Sequence, residues 1–326
     1  MRAAWYEAQG AAGDVLQVGE LPDPLPGAGE VRVRVRLSGI NPGDTKKRRG
    51  WLGSSMPYPR VVPHSDAAGV IDTVGEGVDA ARLGERVWVH GAQSYRAFGT
   101  AAQYVVVPEC LTVRLPEGVS DEVGACLGIP GITAHRAVFG DGPVHGQVVL
   151  VHGILGAVGS LAGQLARWGG ATVIGTVRAT ADLEEAEGSG VDHLVALDGA
   201  DPAAQIRAVS PHGVHRIVEV SLSDNVDLDA SVAGVGTVIA AYATGDPRPS
   251  LPFWPMLFDN VTLRLLGSDD FPVEAKRHAA SDLTAAADAA ALTVRTEDPL
   301  PLDRIADAHE RVDAGTRTRI LLDVIA

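Results

Sequence analysis

The stretch that decides the fold is VVLVHGILGAVG, residues 148–159. Its four leading apolar residues predict a buried strand, and the glycine-spaced turn leads into a helix over residues 160–168. A strand, a glycine turn and a helix in that order predict a site for a dinucleotide pyrophosphate. Gly156 would let the backbone approach the phosphates, and Gly159 would let the helix pack on the strand. The first helical turn would offer free N–H groups to the anion. The predicted nucleotide contacts here are Gly153, Gly156, Ala157, Val158 and Gly159.

The size and charge of the chain restrict its function. At 326 residues it is long enough for two domains, and its 46% hydrophobic content is typical of a globular protein. A net charge of −14 argues against binding to nucleic acid or to an anionic membrane. No run of about 18 apolar residues and no signal peptide is found. Two cysteines, Cys110 and Cys126, allow at most one disulfide. We therefore expect a cytoplasmic protein with reduced thiols.

The pattern of predicted elements changes near residue 120. Before it, short strands separated by turns predict a small barrel-like domain, and residues 30–37 (EVRVRVRL) alternate strictly between valine and a polar or charged residue. After it, apolar strands alternate with helices, which predicts an α/β fold with a doubly wound parallel sheet. A last strand at residues 319–324 is expected to return to the first domain. The predicted domains are 1–121, completed by 291–326, and 122–290.

Several motifs follow one another in the order of a known family. They are SGINPGDT at 38–45, HSDAAGVI at 64–71, LGIPGITA at 127–134, HGILGAVG at 152–159 and ADAHE at 306–310. Together they resemble the zeta-crystallin-like quinone oxidoreductases, which are medium-chain dehydrogenase/reductases. The resemblance implies a GroES-like β-barrel-type catalytic domain and a Rossmann NADP-binding domain. It also implies a homodimer that forms through edge strands around residues 261–266.

The resemblance decides the question of a catalytic metal. Zinc-dependent members of the superfamily carry cysteine, histidine and cysteine where this chain has Asn41, Ser65 and Ile129. None of these side chains offers the thiolate or imidazole that catalytic zinc takes. We therefore expect no metal in the reaction.

Cofactor choice depends on the end of the second strand of the nucleotide unit. An NAD site expects a carboxylate there for the ribose 2′-hydroxyl. Residues 175–180 are GTVRAT, so Arg178 would instead pair with a 2′-phosphate, and NADPH is favoured. Thr176 and Thr180 are further candidate hydroxyl donors. The resemblance implies that Thr133 fixes the nicotinamide ribose, and Tyr242 is expected at the ligand-binding end of a strand.

The catalytic residues are inferred from the segment at 38–49. As hydride reaches an acceptor, negative charge grows on its oxygen, and the amide of Asn41 would stabilise that charge. Lys46, which stands where the family often has tyrosine, or a bound water would supply the proton, and Asp44 would orient its neighbours. The predicted function is an NADPH-dependent quinone oxidoreductase that acts on a small molecule without zinc. The alternatives are a reductase of enone or enoyl double bonds and a cofactor-binding protein with little turnover.

Overall fold

A computed structural model describes residues 1–325 of the chain. Fifteen strands are found in this range. They are β1 (Arg2–Trp5), β2 (Gln17–Glu20), β3 (Glu30–Gly39), β4 (Asp66–Val74), β5 (Arg86–Val89), β6 (Tyr104–Pro108), β7 (Thr112–Arg114), β8 (Val148–Val151), β9 (Thr172–Val177), β10 (His193–Ala196), β11 (Val214–Glu219), β12 (Ala233–Ala241), β13 (Thr262–Leu265), β14 (Leu300–Pro301) and β15 (Leu321–Asp323).

Eleven α-helices accompany these strands within the same described range. They are α1 (Ala12–Val15), α2 (Pro42–Arg49), α3 (Asp121–Gly124), α4 (Ile132–Phe139), α5 (Ala157–Trp168), α6 (Leu183–Ala186), α7 (Pro202–Val209), α8 (Leu222–Val232), α9 (Phe253–Phe258), α10 (Val273–Asp288) and α11 (Ile305–Asp313). Single 3₁₀ turns lie at Trp51–Gly53, Ala80–Arg82, Glu109–Leu111, Thr180–Asp182, Glu187–Ser189, Ser268–Asp270 and Leu302–Arg304, and a π-helical turn at Leu127–Gly131. No helix in residues 1–325 is long and apolar enough to cross a membrane.

The chain divides into two compact units, Met1–Pro130 with the tail from Thr293 onward, and Gly131–Leu292. The first unit therefore extends nine residues beyond the predicted boundary at residue 121. One cause is visible in the hydrogen bonds: the Ile129 N–H donates to the buried carboxylate of Asp66 and so holds this segment on the first unit.

The second unit is built on a six-stranded parallel sheet, in the order β10-β9-β8-β11-β12-β13. The strand predicted from VVLV is β8, at the centre of this order, with Val149, Leu150 and Val151 fully buried. Apolar runs of this kind are expected where helices cover both faces of a parallel sheet. The predicted fold class, a Rossmann sheet with a GroES-like domain, is confirmed.

The first unit is organised around β3. The valines at 31, 33 and 35 are buried, while the arginines between them point outward, as the alternation predicted. Seven strands form this sheet, in the order β14-β15-β3-β4-β5-β7, with β6 also paired to β3. The C-terminal strand β15 is antiparallel to β3, with Leu321 opposite Gly39. The tail of the chain therefore completes the sheet of the first unit.

Candidate functional site

The glycine turn after β8 ends in a helix whose N-terminus has no side-chain cap. Gly156 is the N-cap residue, and α5 begins at Ala157, three residues earlier than predicted. The first-turn N–H groups, which include those of Ala157 and Val158, have no partner one turn back in the helix. They carry the partial positive charge of the helix and are free for an anion. This geometry fits the pyrophosphate of a dinucleotide.

The glycines of this turn have different physical roles. Gly153 has φ +67°, a left-handed conformation that favours glycine. A Cβ on Gly159 would lie 2.2 Å from the carbonyl oxygen of Gly153, so only glycine lets α5 start this close to the turn. A Cβ on Gly156 would meet that same oxygen at 3.3 Å, which is tight but tolerable. Gly156 therefore leaves open the space in which phosphates would approach.

Arg178 is exposed directly after β9, and no hydrogen bond or ion pair to another residue in 1–325 engages its guanidinium. Thr180 behaves differently, because both its N–H and its hydroxyl donate to Asp198 Oδ1, at 2.7 and 2.8 Å. Thr176 is fully buried and bonds the Nδ1 atom of His152 at 2.9 Å. The expectation that these two hydroxyls serve the cofactor is therefore not supported. Arg178 is left as the cationic group available for a phosphate.

A buried acidic cluster lies behind the glycine turn. His152 Nε2 is 2.9 Å from Asp229 Oδ1 and 3.6 Å from Glu219 Oε2, and all three side chains are fully buried. Burial raises the pKa of Glu219 to about 7, although the neighbouring His152 favours its charged form. The same two carboxylates raise the pKa of His152 against the effect of burial. Tyr242 follows β12 beside this cluster, and its backbone N–H donates to the Glu219 carbonyl.

In the first unit, Asn41 is buried and its amide is held at both ends. Nδ2 donates to Asp66 Oδ2 at 2.8 Å, and Oδ1 accepts from Arg319 Nη1 at 2.9 Å. Because Arg319 can only donate, the amide atom that faces it is the oxygen, and the atom that faces Asp66 is the nitrogen. One of the two Nδ2 protons is used by Asp66, and no described residue accepts the second. That proton is available to an acceptor oxygen.

Asp66 joins the segments that contribute to this cluster. It accepts from the Ile129 N–H at 2.8 Å as well as from Asn41, and Arg319 Nη2 lies 3.6 Å away. Burial raises the pKa of Asp66 to about 7, although Arg319 and the two hydrogen bonds favour the charged form. The carboxyl is therefore divided between its two protonation states near neutral pH.

The remaining predicted site residues, Asp44, Lys46 and Thr133, each have different surroundings in the structure. Asp44 Oδ2 accepts from the backbone N–H of Asn41 at 2.8 Å, which anchors the start of α2. Lys46 Nζ lies 4.5 Å from the centre of the Trp51 ring, in a cation–π contact. Thr133 is buried in the first turn of α4. A catalytic role for Asp44 or Lys46, and a cofactor role for Thr133, stay predictions.

The residues at the superfamily's zinc position do not fit a zinc ion. Asn41 offers an amide, Ser65 a hydroxyl and Ile129 an aliphatic side chain, none of which is a ligand that zinc selects. Among residues 1–325, the groups with three potential ligands lie elsewhere, at His135, His278 and Asp282 and at His152, Glu219 and Asp229.

A chain of hydrogen-bonded, buried polar side chains connects α2 to the rest of the first unit. Arg48 Nε donates to His309 Nδ1 at 3.3 Å, so the His309 proton lies on Nε2, which is 2.9 Å from His64 Nε2. The His64 proton is then on Nδ1 and donates to Ser38 Oγ at 2.9 Å. Burial lowers the pKa of His309 to about 3 and lowers that of His64 well below its usual value. Both imidazoles are neutral, and they hold the helix that begins beside Asn41.

Sequence reasoning missed Asp66, Arg319 and Glu219. Glu219 had a visible signal, because it is the one carboxylate of β11 and stands at the end of that strand. Asp66 lies next to Ser65, which was considered only as a failed zinc ligand. Arg319 gave no local signal, since its partners lie more than 250 residues earlier in the chain.

Two family models match the chain. The alcohol dehydrogenase GroES-like domain matches residues 27–117, and the zinc-binding dehydrogenase model matches residues 157–276. Human quinone oxidoreductase is 30% identical over 309 residues, which cover 90% of this chain and 88% of that protein.

Solved structures with the same fold include two informative neighbours. Mycobacterial Rv1454c complexed with NADPH aligns with a TM-score of 0.83 and 27% identity, covering 99% of both chains. A 2-haloacrylate reductase aligns with a TM-score of 0.84 and 25% identity, covering 100% of both chains.

Proposed function

Because the chain belongs to the quinone oxidoreductase family of medium-chain dehydrogenase/reductases, we propose that it is an NADPH-dependent quinone oxidoreductase that works without zinc. The observation that carries the cofactor assignment is Arg178, which follows β9 and whose guanidinium has no partner among residues 1–325. An arginine there matches a 2′-phosphate, whereas a ribose 2′-hydroxyl calls for a carboxylate. The mycobacterial neighbour's complex with NADPH supports the same choice.

The proposed cofactor site lies on the second unit. The N–H groups of Ala157, Val158 and Gly159 would bind the pyrophosphate, and Gly153 and Gly156 would keep the approach open. Arg178 would bind the 2′-phosphate. Thr133 and Tyr242 would contact the nicotinamide half of the cofactor.

The bound dihydronicotinamide would supply a hydride to the acceptor. Asn41 would stabilise the oxygen that becomes negative, by donating the Nδ2 proton that Asp66 does not use. The Arg319 guanidinium would strengthen the Nδ2 donor of Asn41, because it donates a hydrogen bond to the amide oxygen and so polarises the amide. Lys46 would deliver the proton to the reduced acceptor, and Asp44 would hold Asn41 in place.

A second acceptor class is favoured by one comparison. The neighbour that aligns along the whole chain is a 2-haloacrylate reductase, and a haloacrylate is an α,β-unsaturated acid. The same donor at Asn41 would stabilise the enolate oxygen formed when an enone takes up a hydride. A cytoplasmic location is part of the proposal, since Cys110 and Cys126 are both free thiols.

The experiment is NADPH oxidation by chelator-treated protein, with a polycyclic ortho-quinone and an α,β-unsaturated ketone assayed side by side. The proposal predicts faster turnover with the quinone. Turnover with the enone alone would move the assignment to a double-bond reductase. Tight NADPH binding with no turnover on either acceptor would indicate a cofactor-binding protein.

A further inference from the structure

Three side chains of the second unit converge outside the proposed cofactor site. His278 and Asp282 are four residues apart on α10, and His135 lies on the neighbouring helix α4. His135 Nε2 is 2.8 Å and His278 Nε2 is 3.3 Å from the same oxygen, Asp282 Oδ2. The ligating atoms of all three side chains lie within 4.8 Å of one another. Residues four apart share one helix face, so α10 presents two of these groups side by side to the third.

The geometry points to a binding site for a divalent transition metal of the zinc type, held by His135, His278 and Asp282, and we propose that such an ion links α4 to α10. Ligands about 2.0–2.1 Å from a tetrahedral metal lie about 3.4 Å apart, which is close to the 2.8 and 3.3 Å that separate the two imidazole nitrogens from Asp282 Oδ2. Two imidazoles and one carboxylate suit Zn²⁺, Co²⁺, Ni²⁺ or Cu²⁺, whereas Mg²⁺ and Ca²⁺ prefer oxygen ligands alone.

The surroundings of the three groups favour metal over a simple ion pair. The side chain of His135 is only 4% exposed, so its imidazole offers a ligand from the interior of the second unit. The side chain of His278 is 67% exposed, which gives the ion a route from solvent and leaves coordination positions for water. The ring planes of the two histidines are 79° apart with their centroids separated by 5.2 Å.

The buried group of His152, Glu219 and Asp229 is the rival site within residues 1–325. Its three side chains are fully buried, so no open route from solvent leads to it. The group at α4 and α10 also shares no residue with Asn41, Ser65 and Ile129, the positions of the superfamily's catalytic zinc. The proposed ion would act on stability rather than on the chemistry.

The test is calorimetric titration of zinc chloride into tag-free, chelator-treated protein. We expect one ion per chain, bound in the micromolar range, and a rise of a few degrees in Tm when zinc is added. H278Q should weaken zinc binding at least tenfold and abolish the rise in Tm. The matched control H212Q replaces another exposed histidine and should leave both unchanged.

Three results would contradict the proposed metal site. Unchanged zinc affinity in H278Q would overturn the proposal, as would the absence of any zinc binding to the unmodified chain. Loss of binding in D229N with full binding in H278Q would assign the ion to the buried group instead. Since His278 is exposed, circular dichroism of H278Q should match that of the unmodified protein, which separates lost ligation from misfolding.

Discussion

At the scale of single residues, the proposed stabilisation of the acceptor oxygen depends on the fixed amide of Asn41. Asn41→Ala removes the donor proposed for the acceptor oxygen, so kcat should fall about 10²- to 10³-fold. NADPH affinity should change little, because the proposed nucleotide contacts lie in another segment of the chain. Steady-state kinetics with a quinone, together with fluorescence titration of NADPH, measure both quantities.

Thr45→Ala is the matched control for this substitution. Thr45 is buried in the same helix, and its hydroxyl donates to the Pro42 carbonyl at 3.1 Å. Its loss disturbs α2 without removing the proposed donor, so kcat should stay within a few-fold of the original. Equal kcat losses in the two variants would reject Asn41 as the donor and leave it only a role in starting the helix.

The raised pKa of Asp66 should make the free energy of unfolding depend on pH. Burial raises its pKa from 3.8 to about 7, so its contribution to stability is complete below pH 4 and is lost as the pH rises towards 7. Asp66→Asn removes this titration. The free energy of unfolding of the variant minus that of the original should therefore increase by about 1.4 kcal/mol per pH unit between pH 4 and 7.

Urea unfolding at several pH values measures this difference. Other titrating groups, such as Glu219 and His309, are present in both proteins and cancel in the comparison. A difference that stays constant from pH 4 to 7 would show that Asp66 is ionised throughout and does not titrate as described.

How far single site residues could be predicted depends on how local their signals are. Arg178 and the glycines could be proposed from the sequence because a strand, a turn, a helix and a second strand follow one another between residues 148 and 178. Asn41 was identified through a motif, but the reason for its fixed orientation was not. Asp66 and Arg319 hold it from positions far along the chain, and only the folded sheet, with β15 paired to β3, brings Arg319 to it.

At the scale of elements, two substitutions in the turn between β8 and α5 should separate an effect on cofactor binding from an effect on folding. Gly156→Ala places a methyl group in an allowed conformation, with φ −82°, but in the path of the phosphates. It should weaken NADPH binding at least tenfold with little change in Tm. Gly159→Ala should lower both the NADPH affinity and the Tm, since its Cβ would lie 2.2 Å from the Gly153 carbonyl oxygen.

Thermal unfolding and NADPH titration of the two variants provide the comparison. Unchanged NADPH affinity in Gly156→Ala would mean that phosphates do not approach this turn. A normal Tm in Gly159→Ala would mean that the packing of α5 is less tight than described.

Elements with a strong period were predictable, whereas the polar helix α8 was not. The alternation in β3 and the apolar run in β8 specify burial directly, so both strands were identified. Helix α8 was missed because its sequence, LSDNVDLDASV, is rich in residues that favour turns. It forms because Leu222, Val226 and Ala230 lie four residues apart and pack into the apolar core of the second unit.

At the scale of the whole molecule, the edge strand β13 predicts the state of association. It closes one end of the six-strand order, and Leu265 on it is 72% exposed. We propose that two chains pair along this edge, as the family resemblance implies. Sedimentation equilibrium should give twice the chain mass of 33.9 kDa, and Leu265→Lys should shift the protein towards the monomer. A monomeric unmodified protein would contradict this arrangement.

We propose that this chain binds a nicotinamide nucleotide through the turn before α5 and selects its 2′-phosphate through Arg178. The most direct measurement is the dissociation constant of NADPH and of NADH for the unmodified protein, for Arg178→Ala and for the control Arg277→Ala. A charged hydrogen bond of about 1.5–3 kcal/mol predicts that the unmodified protein and the control bind NADPH about 10- to 100-fold more tightly than NADH. Arg178→Ala should lose this preference and keep its NADH affinity. Equal affinity of the unmodified protein for both nucleotides would contradict the account.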